Sequence, residues 1–542
     1  MPDRSRFYVT TPIYYVNDRP HLGHVYTTMV ADVVARYHRL IGDETFFLTG
    51  VDEHAAKVSE KAAEMGMTPQ AWADQNAAAF REVFERLEIT NNDFVRTSSE
   101  HHKAAVSRYV QALLDSGDVY QGDYVGWYDA GQEEYVPDNK ALQNDYKSEV
   151  NGKPLIRKSE KNYFFKLESY REPLLAFYAQ RDAEGVPFVQ PDARRNEIVN
   201  RIKEMDDVPI SRSGSGGWGI PVPGEEEQTI YVWIDALFNY LTFVDTDADS
   251  PMGDRRQFWQ AGAVHFIAKD ILWFHAAIWP ALLLALQKCP GFEWVNLPRQ
   301  VYSHSYWVSD SGQKMSKSLG NFLDPAAIDN YVETFGLDAL RYFLSTRGPL
   351  GVSDSAFSPE LFIEVYNSDL ANTFGNSCSR VANMIGKYFD GQLPAPLPAD
   401  DPAYLPLKQS DWAGEYMRHF DVLDLTRAGD AALQPVRDVD SFIEQTQPFR
   451  MAKDETQRPA VGTVLYQCTE ALRIASVLLW PFVPDACEIF WQRIGCGAYA
   501  DMLADNGSGH WEQLTTWGQL KSGTPIEKGA ALFPRYDAER AG

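Results

Sequence analysis

The stretch Pro20-His21-Leu22-Gly23-His24 reads as the turn between a buried first strand and the helix after it. Phe7-Tyr8-Val9-Thr10 is the strand, Pro12, Asn17, Asp18 and Pro20 carry the turn, and Val25, Met29, Val33 and Val34 recur at helical spacing. A helix start presents unpaired N–H groups and a partial positive charge, both suited to an anion. Gly23 permits close approach of a ligand to the backbone. His21 and His24, three apart, project from one side and are able to donate hydrogen bonds to phosphate oxygens. The bland alternative is that the two histidines only cap the helix. The phosphate reading puts a nucleotide at the end of the first strand without a P-loop.

Working outward, Thr45-Phe46-Phe47-Leu48-Thr49-Gly50 is a second apolar strand, ending in Val51-Asp52-Glu53-His54. Strand, helix, strand with a crossover of about twenty residues predicts a parallel, nucleotide-binding α/β sheet, whose ligands sit at the carboxyl ends of the strands. Asp52 stands at such an end. Its residue type leaves two readings, a carboxylate for an ammonium group or a cap for the helix through Lys57 and Lys61. Far along the chain, Lys314-Met315-Ser316-Lys317-Ser318 is a lysine pair in a Gly- and Ser-rich segment. Two ammonium groups on flexible stems suit a mobile clamp on triphosphate oxygens, and a solvated loop is the alternative.

Both motifs in this order, about 290 residues apart, resemble class I aminoacyl-tRNA synthetases, and nearly the whole chain resembles the methionyl-tRNA synthetase family. The resemblance implies ATP with substrate-associated Mg2+, L-methionine and tRNA(Met) as partners. It implies phosphate and nucleotide contacts at His21, Gly23, His24, Lys269, Asp270, Lys314, Lys317 and Ser318, with His21, His24, Lys314 and Lys317 as the catalytic set. It resolves Asp52 as the ammonium-binding carboxylate and maps a methionine pocket onto Ile13, Tyr15, Trp233, Ala236, Leu237, Tyr240 and His275. An aromatic pocket of this kind suits a flexible thioether. Asn376, Arg380 and Phe449 fall at the anticodon-reading positions. Phe449 stands where relatives have Trp, and still offers a stacking face.

The implied organisation is a Rossmann-like catalytic half over 1–116, a connective-peptide insertion over 117–226, the second catalytic half over 227–325, a stem-contact linker over 326–358 and an all-α anticodon-binding bundle over 359–542. Where many relatives carry zinc-binding cysteines in the insertion, this chain has Asp129, Gln132, Ser148 and Asn151, a poor donor set for zinc, so no structural zinc is expected. Three glycines of relatives are replaced near the site, by Ala55, Ala268 and Ser305. An added Cβ there is tolerable only at negative φ.

Composition constrains the partners. Among 542 residues the net charge is −25, and residues 356–542 hold 25 acidic against 15 basic side chains. A tRNA site must then be a local patch on an acidic surface. The five cysteines include no C-x-x-C pair. No secretory signal or membrane-length apolar run is read, and a monomeric cytoplasmic enzyme is expected. A synthetase for another apolar amino acid is disfavoured by the short insertion. A small-molecule adenylyltransferase would not need the helical C-terminal part, and a non-catalytic tRNA-binding relative would be expected to lose a motif histidine or lysine.

Lys317→Ala should slow adenylate formation about a hundredfold, roughly 3 kcal/mol of transition-state stabilisation, with methionine affinity retained. ATP–pyrophosphate exchange and equilibrium dialysis measure the two, and wild-type turnover would refute the clamp role.

Overall fold

Successive residues of a strand leave on opposite faces, so Phe7 and Val9 enter one core and Tyr8, between them, enters another. Phe47 likewise joins the first core, while Phe46 and Leu48 join the second. Such strands are apolar on both faces because each face is covered. The computed structural model describes residues 5–537 except 18, 130–133, 137, 149–151, 214–216, 247–249, 251–252, 310–324, 408–409 and 499–509. Its central sheet has six strands, β1 (Arg6–Tyr15), β2 (Glu44–Asp52), β3 (Asp93–Arg96), β4 (Val189–Gln190), β5 (Ala263–Ala268) and β6 (Gln300–His304). They lie in the order β3-β2-β1-β5-β6-β4, every pairing parallel. The doubly covered parallel sheet is the Rossmann-like α/β architecture expected from the sequence.

The chain turns outward in opposite directions from β1, to β2 on one side and β5 on the other, which opens a crevice at the carboxyl ends of those strands. β1 itself is longer than the sequence suggested. It continues through Pro12 to Tyr15, and the pairing with β2 slips between Thr10 and Ile13. A bulge is where a strand tolerates proline, and it redirects the residues that follow. Helix α1 (Leu22–Leu40) packs with the first core, and α2 (Val232–Thr242) with the second.

The segment 117–226 carries an antiparallel sheet of its own, in the order Glu134–Val136, Val119–Asp129, Ile156–Phe165, Val208–Pro209. It also feeds β4 into the central sheet, beside β6. Phe165, Leu174, Tyr178 and Ile198 pack into the second catalytic core, so this part of the segment is built into the catalytic unit. The zinc-position residues Gln132 and Asn151 and the side chain of Asp129 lie outside what is described, while Ser148 is buried. Among the described residues no cluster of three metal-ligating side chains occurs, and no helix is long and apolar enough to cross a membrane.

After helix α3 (Leu337–Arg347) the chain is helical, with α4 (Asn376–Phe389), α5 (Leu425–Thr446), α6 (Arg458–Leu479) and α7 (Pro484–Arg493). Every residue of α6 from Ala460 onward is buried, making it the axis of the bundle. A buried polar chain joins bundle to sheet. Arg36 of α1 donates to Asp32 at 2.7 Å and to the Glu88 carbonyl at 2.7 Å. Arg341 of α3 donates to the Leu87 carbonyl at 3.2 Å and to Asp338 at 3.1 Å. Asp338 in turn accepts the N–H groups of Ala486 (2.8 Å) and Asp485 (3.4 Å), capping α7. Burial lifts the Asp338 carboxyl to about 6 against the pull of Arg341. Asp338→Ala would strand a fully buried guanidinium and uncap α7, and should cost about 3–5 kcal/mol, visible as a lowered thermal midpoint. A loss below about 1 kcal/mol would show that the joint does not depend on this pair.

Candidate active site

The crevice holds a cavity of about 450 Å3, within the range of small-ligand sites. Its lining comes from the end of β1, the start of α1, Asp52, α2, the segment after β5 and the segment after β6. His21, Gly23 and His24 form one wall, where α1 begins. The Gly23 N–H donates to His21 Nδ1 at 3.0 Å, and the His21 N–H donates to His24 Nδ1 at 3.3 Å. The two rings stack at 3.7 Å. Both Nδ1 atoms are therefore acceptors, which leaves the N–H of each ring at Nε2. Burial, reinforced by the neighbouring His21, pushes the His24 imidazole well below its ordinary pKa, so it donates as a neutral ring. A Cβ on residue 23 would stand 2.9 Å from the His21 ring, so glycine here makes room for the folded-back histidine.

The Asp-Glu-His run after β2 is divided among three partners. Glu53 takes Arg96 at 2.8 Å and the Ser98 N–H at 3.0 Å, and His54 pairs with Asp235 at 2.6 Å. Asp52 is 2 % exposed and faces the cavity, and its Oδ1 has no hydrogen-bond partner. Burial and the nearby Asp235 raise its pKa well above the ordinary carboxylate range. The helix that follows is capped by Ala55, without a side-chain bond, so Asp52 does not serve as its cap. A buried carboxylate with an orphaned oxygen is the complement of a cation.

Opposite Asp52 the cavity is apolar. Trp233, Ala236, Leu237 and Tyr240 share one face of α2, Ile13 and Tyr15 come from the end of β1, and His275 from a π-helical turn at Phe274–Ile278. The Trp233 ring stacks on Phe274 at 4.2 Å and meets Tyr15 edge-on at 6.1 Å. His275 Nδ1 donates to the Ile271 carbonyl at 3.0 Å, so its Nε2 accepts from the Tyr240 hydroxyl at 2.7 Å. That hydroxyl proton is committed to His275, and the Tyr240 oxygen keeps a lone pair.

All seven sequence-assigned pocket residues, together with Asp52, His21, Gly23, His24 and Asp270, line one cavity. Lys269 does not: its ammonium group pairs with Asp354 at 2.6 Å and lies over the Tyr306 ring at 4.7 Å. Tyr306 also hydrogen-bonds Asp270. Lys314, Lys317 and Ser318 lie outside the described residues. Thr27, Tyr306 and Trp307 also line the cavity without having stood out in the sequence, as does His304, which closes β6 where strand ends gather ligands. The Thr27 hydroxyl meets His304 Nε2 at 2.8 Å, and His304 Nδ1 donates to the Ser305 carbonyl at 2.7 Å.

The replaced glycines are accommodated. Ala268 has φ −81° and Ala55 φ −66°, and Ser305 is not among the described residues of positive φ. The Ser305 hydroxyl lies within hydrogen-bonding distance of the Gly351 and Val352 carbonyls, at 3.1 and 2.7 Å, tying the segment after α3 to β6. In the bundle, Asn376 is exposed at the start of α4 and Arg380 lies half-buried beside Asp440. Ser377 joins that same Asp440 of α5 at 2.7 Å, and Phe449, just past α5, is 41 % exposed.

A family model described as tRNA synthetases class I (M) matches residues 7–143 and 139–382. The chain is 39% identical to methionine–tRNA ligase of Streptomyces coelicolor, over 99% of this chain and 97% of the relative. The chain belongs to the methionyl-tRNA synthetase family. It is also 38% identical to methionine–tRNA ligase of Halalkalibacterium halodurans, over 99% of this chain and 79% of the relative. A solved Mycobacterium tuberculosis methionyl-tRNA synthetase in complex with methionyl-adenylate superposes with a TM-score of 0.81 at 32% identity, covering 98% of this chain and 100% of that one. Membership of this family makes the chain an enzyme, a class I aminoacyl-tRNA synthetase acting as a methionine–tRNA ligase.

The imidazoles of this synthetase-family site also set its acid behaviour. Burial lowers both His275 and His304 from 6.5 to about 4. Unfolding then takes up a proton at each between those values, so stability falls as pH drops below 6.5, by up to ~1.4 kcal/mol per pH unit for each group. Urea unfolding between pH 6.5 and 5 should show His275→Gln with a shallower slope by one such proton. An unchanged slope would mean that His275 is charged in the folded protein.

Proposed function

We propose that this protein is a methionine–tRNA ligase, activating L-methionine with ATP and transferring it to the 3′ end of tRNA(Met). The observation that carries the reading is the single cavity in which the unpartnered Asp52 oxygen stands between an aromatic wall and two imidazole Nε2–H donors. Asp52 takes the substrate ammonium group, and Tyr15, Trp233, Tyr240 and His275 enclose the thioether. The methionine carboxylate then points toward the α1 terminus, where the phosphates lie. It attacks the α-phosphorus of ATP, forming the mixed anhydride and releasing pyrophosphate. The carboxylate is already a nucleophile, so catalysis consists of alignment and charge neutralisation.

His21 and His24 donate to phosphate oxygens as neutral rings, assisted by the start of α1. Lys314 and Lys317 neutralise the departing pyrophosphate, Asp270 addresses the ribose, and Mg2+ arrives with ATP as part of the substrate. In the second step a terminal ribose hydroxyl attacks the adenylate carbonyl and AMP leaves. The reading gives 1–116 and 227–325 to catalysis and 359–542 to the anticodon, with Asn376 and Arg380 on one face of α4 and Phe449 as stacking platform. It describes a monomer working in the cytoplasm without structural zinc.

ATP–pyrophosphate exchange, run separately with methionine, leucine, isoleucine, valine and cysteine before any tRNA is added, tests the assignment. Exchange is expected with methionine. Exchange driven chiefly by another of the five overturns the amino acid, and no exchange with any overturns the activation chemistry.

A further inference from the structure

Trp233, Ala236, Leu237 and Tyr240 face the cavity from α2, whereas Asp235, two positions after Trp233, leaves the helix on its far flank. It is buried there between two histidines. His54 Nδ1 donates to one carboxylate oxygen at 2.6 Å, and His102 Nε2 donates to the other at 2.7 Å. The His102 ring is oriented in turn by the Thr242 hydroxyl, 3.0 Å from its Nδ1. Among the described residues no lysine or arginine forms an ion pair with Asp235. Burial opposes its charge, but His54 and His102 outweigh it and hold the carboxyl at about 2, so the group is an anion.

The three elements it joins form the back of the methionine site. His54 lies two residues past Asp52, His102 is near the start of the helix Glu100–Asp115, and Asp235 is embedded among the α2 residues that make the aromatic wall. Its charge also acts on Asp52, the carboxylate whose free oxygen faces the cavity. We propose that Asp235 is a positioning residue for the amino end of the substrate: through His54 and His102 it fixes Asp52 against the aromatic wall, and it supplies a second negative charge behind the ammonium group. The ligand feature it serves is the α-ammonium, not the thioether or the carboxylate. This rests on the reading of the cavity as a methionine site with the amine at Asp52. Buried ligand-binding carboxylates are commonly oriented by such outer hydrogen bonds, and charges in a dry interior act over longer distances than in water.

The test compares ligands that differ at the amine. L-Methioninol keeps the ammonium group and lacks the carboxylate, and 4-(methylsulfanyl)butanoate keeps the carboxylate and thioether and lacks the amine. Both are measured as inhibitors of methionine-dependent pyrophosphate exchange, in the wild-type protein and in Asp235→Asn. The substitution preserves shape, removes the charge and places an amide hydrogen against one imidazole N–H. Methionine KM and the methioninol inhibition constant should each rise at least tenfold, while the inhibition constant of 4-(methylsulfanyl)butanoate and the KM for ATP stay within twofold. Equal losses for the two inhibitors would mean a general structural role and overturn the proposal, as would no loss for either. Asp52→Asn is run in parallel. Unchanged methioninol affinity there overturns the placement of the amine itself, whereas a loss there with Asp235→Asn unaffected overturns only the role of Asp235. If Asp235→Asn does not fold, His54→Leu, which removes one of the two donors, should show the same selective loss, and a parallel loss of both inhibitors overturns the proposal.

Discussion

Parallel strands all end at the same edge of their sheet, and everything this protein does follows from that constraint. No hairpin can join such neighbours, so each return passes through a helix or a longer segment. The carboxyl ends of β1, β2, β5 and β6 then converge, and the residues just past them meet although far apart in sequence. Asp52, Asp270 and His304 are near one another for this reason. The direction reversal between β1's two neighbours supplies the space, because the connections leave on opposite faces of the sheet.

Within that space each polar group is divided between holding the fold and serving a ligand. The histidines of the α1 turn use Nδ1 to cap the helix while their rings line the cavity wall. Capping and phosphate binding, alternatives when read from residue types, are two ends of the same rings. Tyr240 and His275 satisfy one another, which lets polar side chains line an apolar pocket without a desolvation cost. Asp52 keeps a carboxylate oxygen unsatisfied in a dry place.

Much of this was legible in the sequence because it rests on local pattern. The apolar strand at Phe7 to Val9 and the strand-end position of Asp52 follow from their neighbours alone, whereas the apolar run Thr229 to Leu237 reads as a strand and is helical from Val232 onward. Long-range partners were not legible. Nothing near Lys269 in the chain announces that Asp354 will hold it, and nothing near Val189 announces a strand, since a two-residue edge has no periodicity to read. Pro12 misled for a local reason: it signals a turn unless a bulge admits it to the strand. Ala268 and Ala55 went the other way, with departures from glycine that cost nothing because their backbones lie at negative φ.

The place of β1 in the sheet has a consequence for how the chain is made. Thr10 is bonded to His265, 255 residues later, and that contact belongs to the strand pair on which the crevice opens. During synthesis β1 can pair with β2 early, but its other edge stays open until β5 leaves the ribosome, about half the chain later. At ~5–20 residues per second that is on the order of ten seconds to a minute with an apolar strand edge exposed. Such an edge is a template for pairing with other chains. Nascent-chain protection and a slow, non-local final pairing are therefore built into the strand order itself.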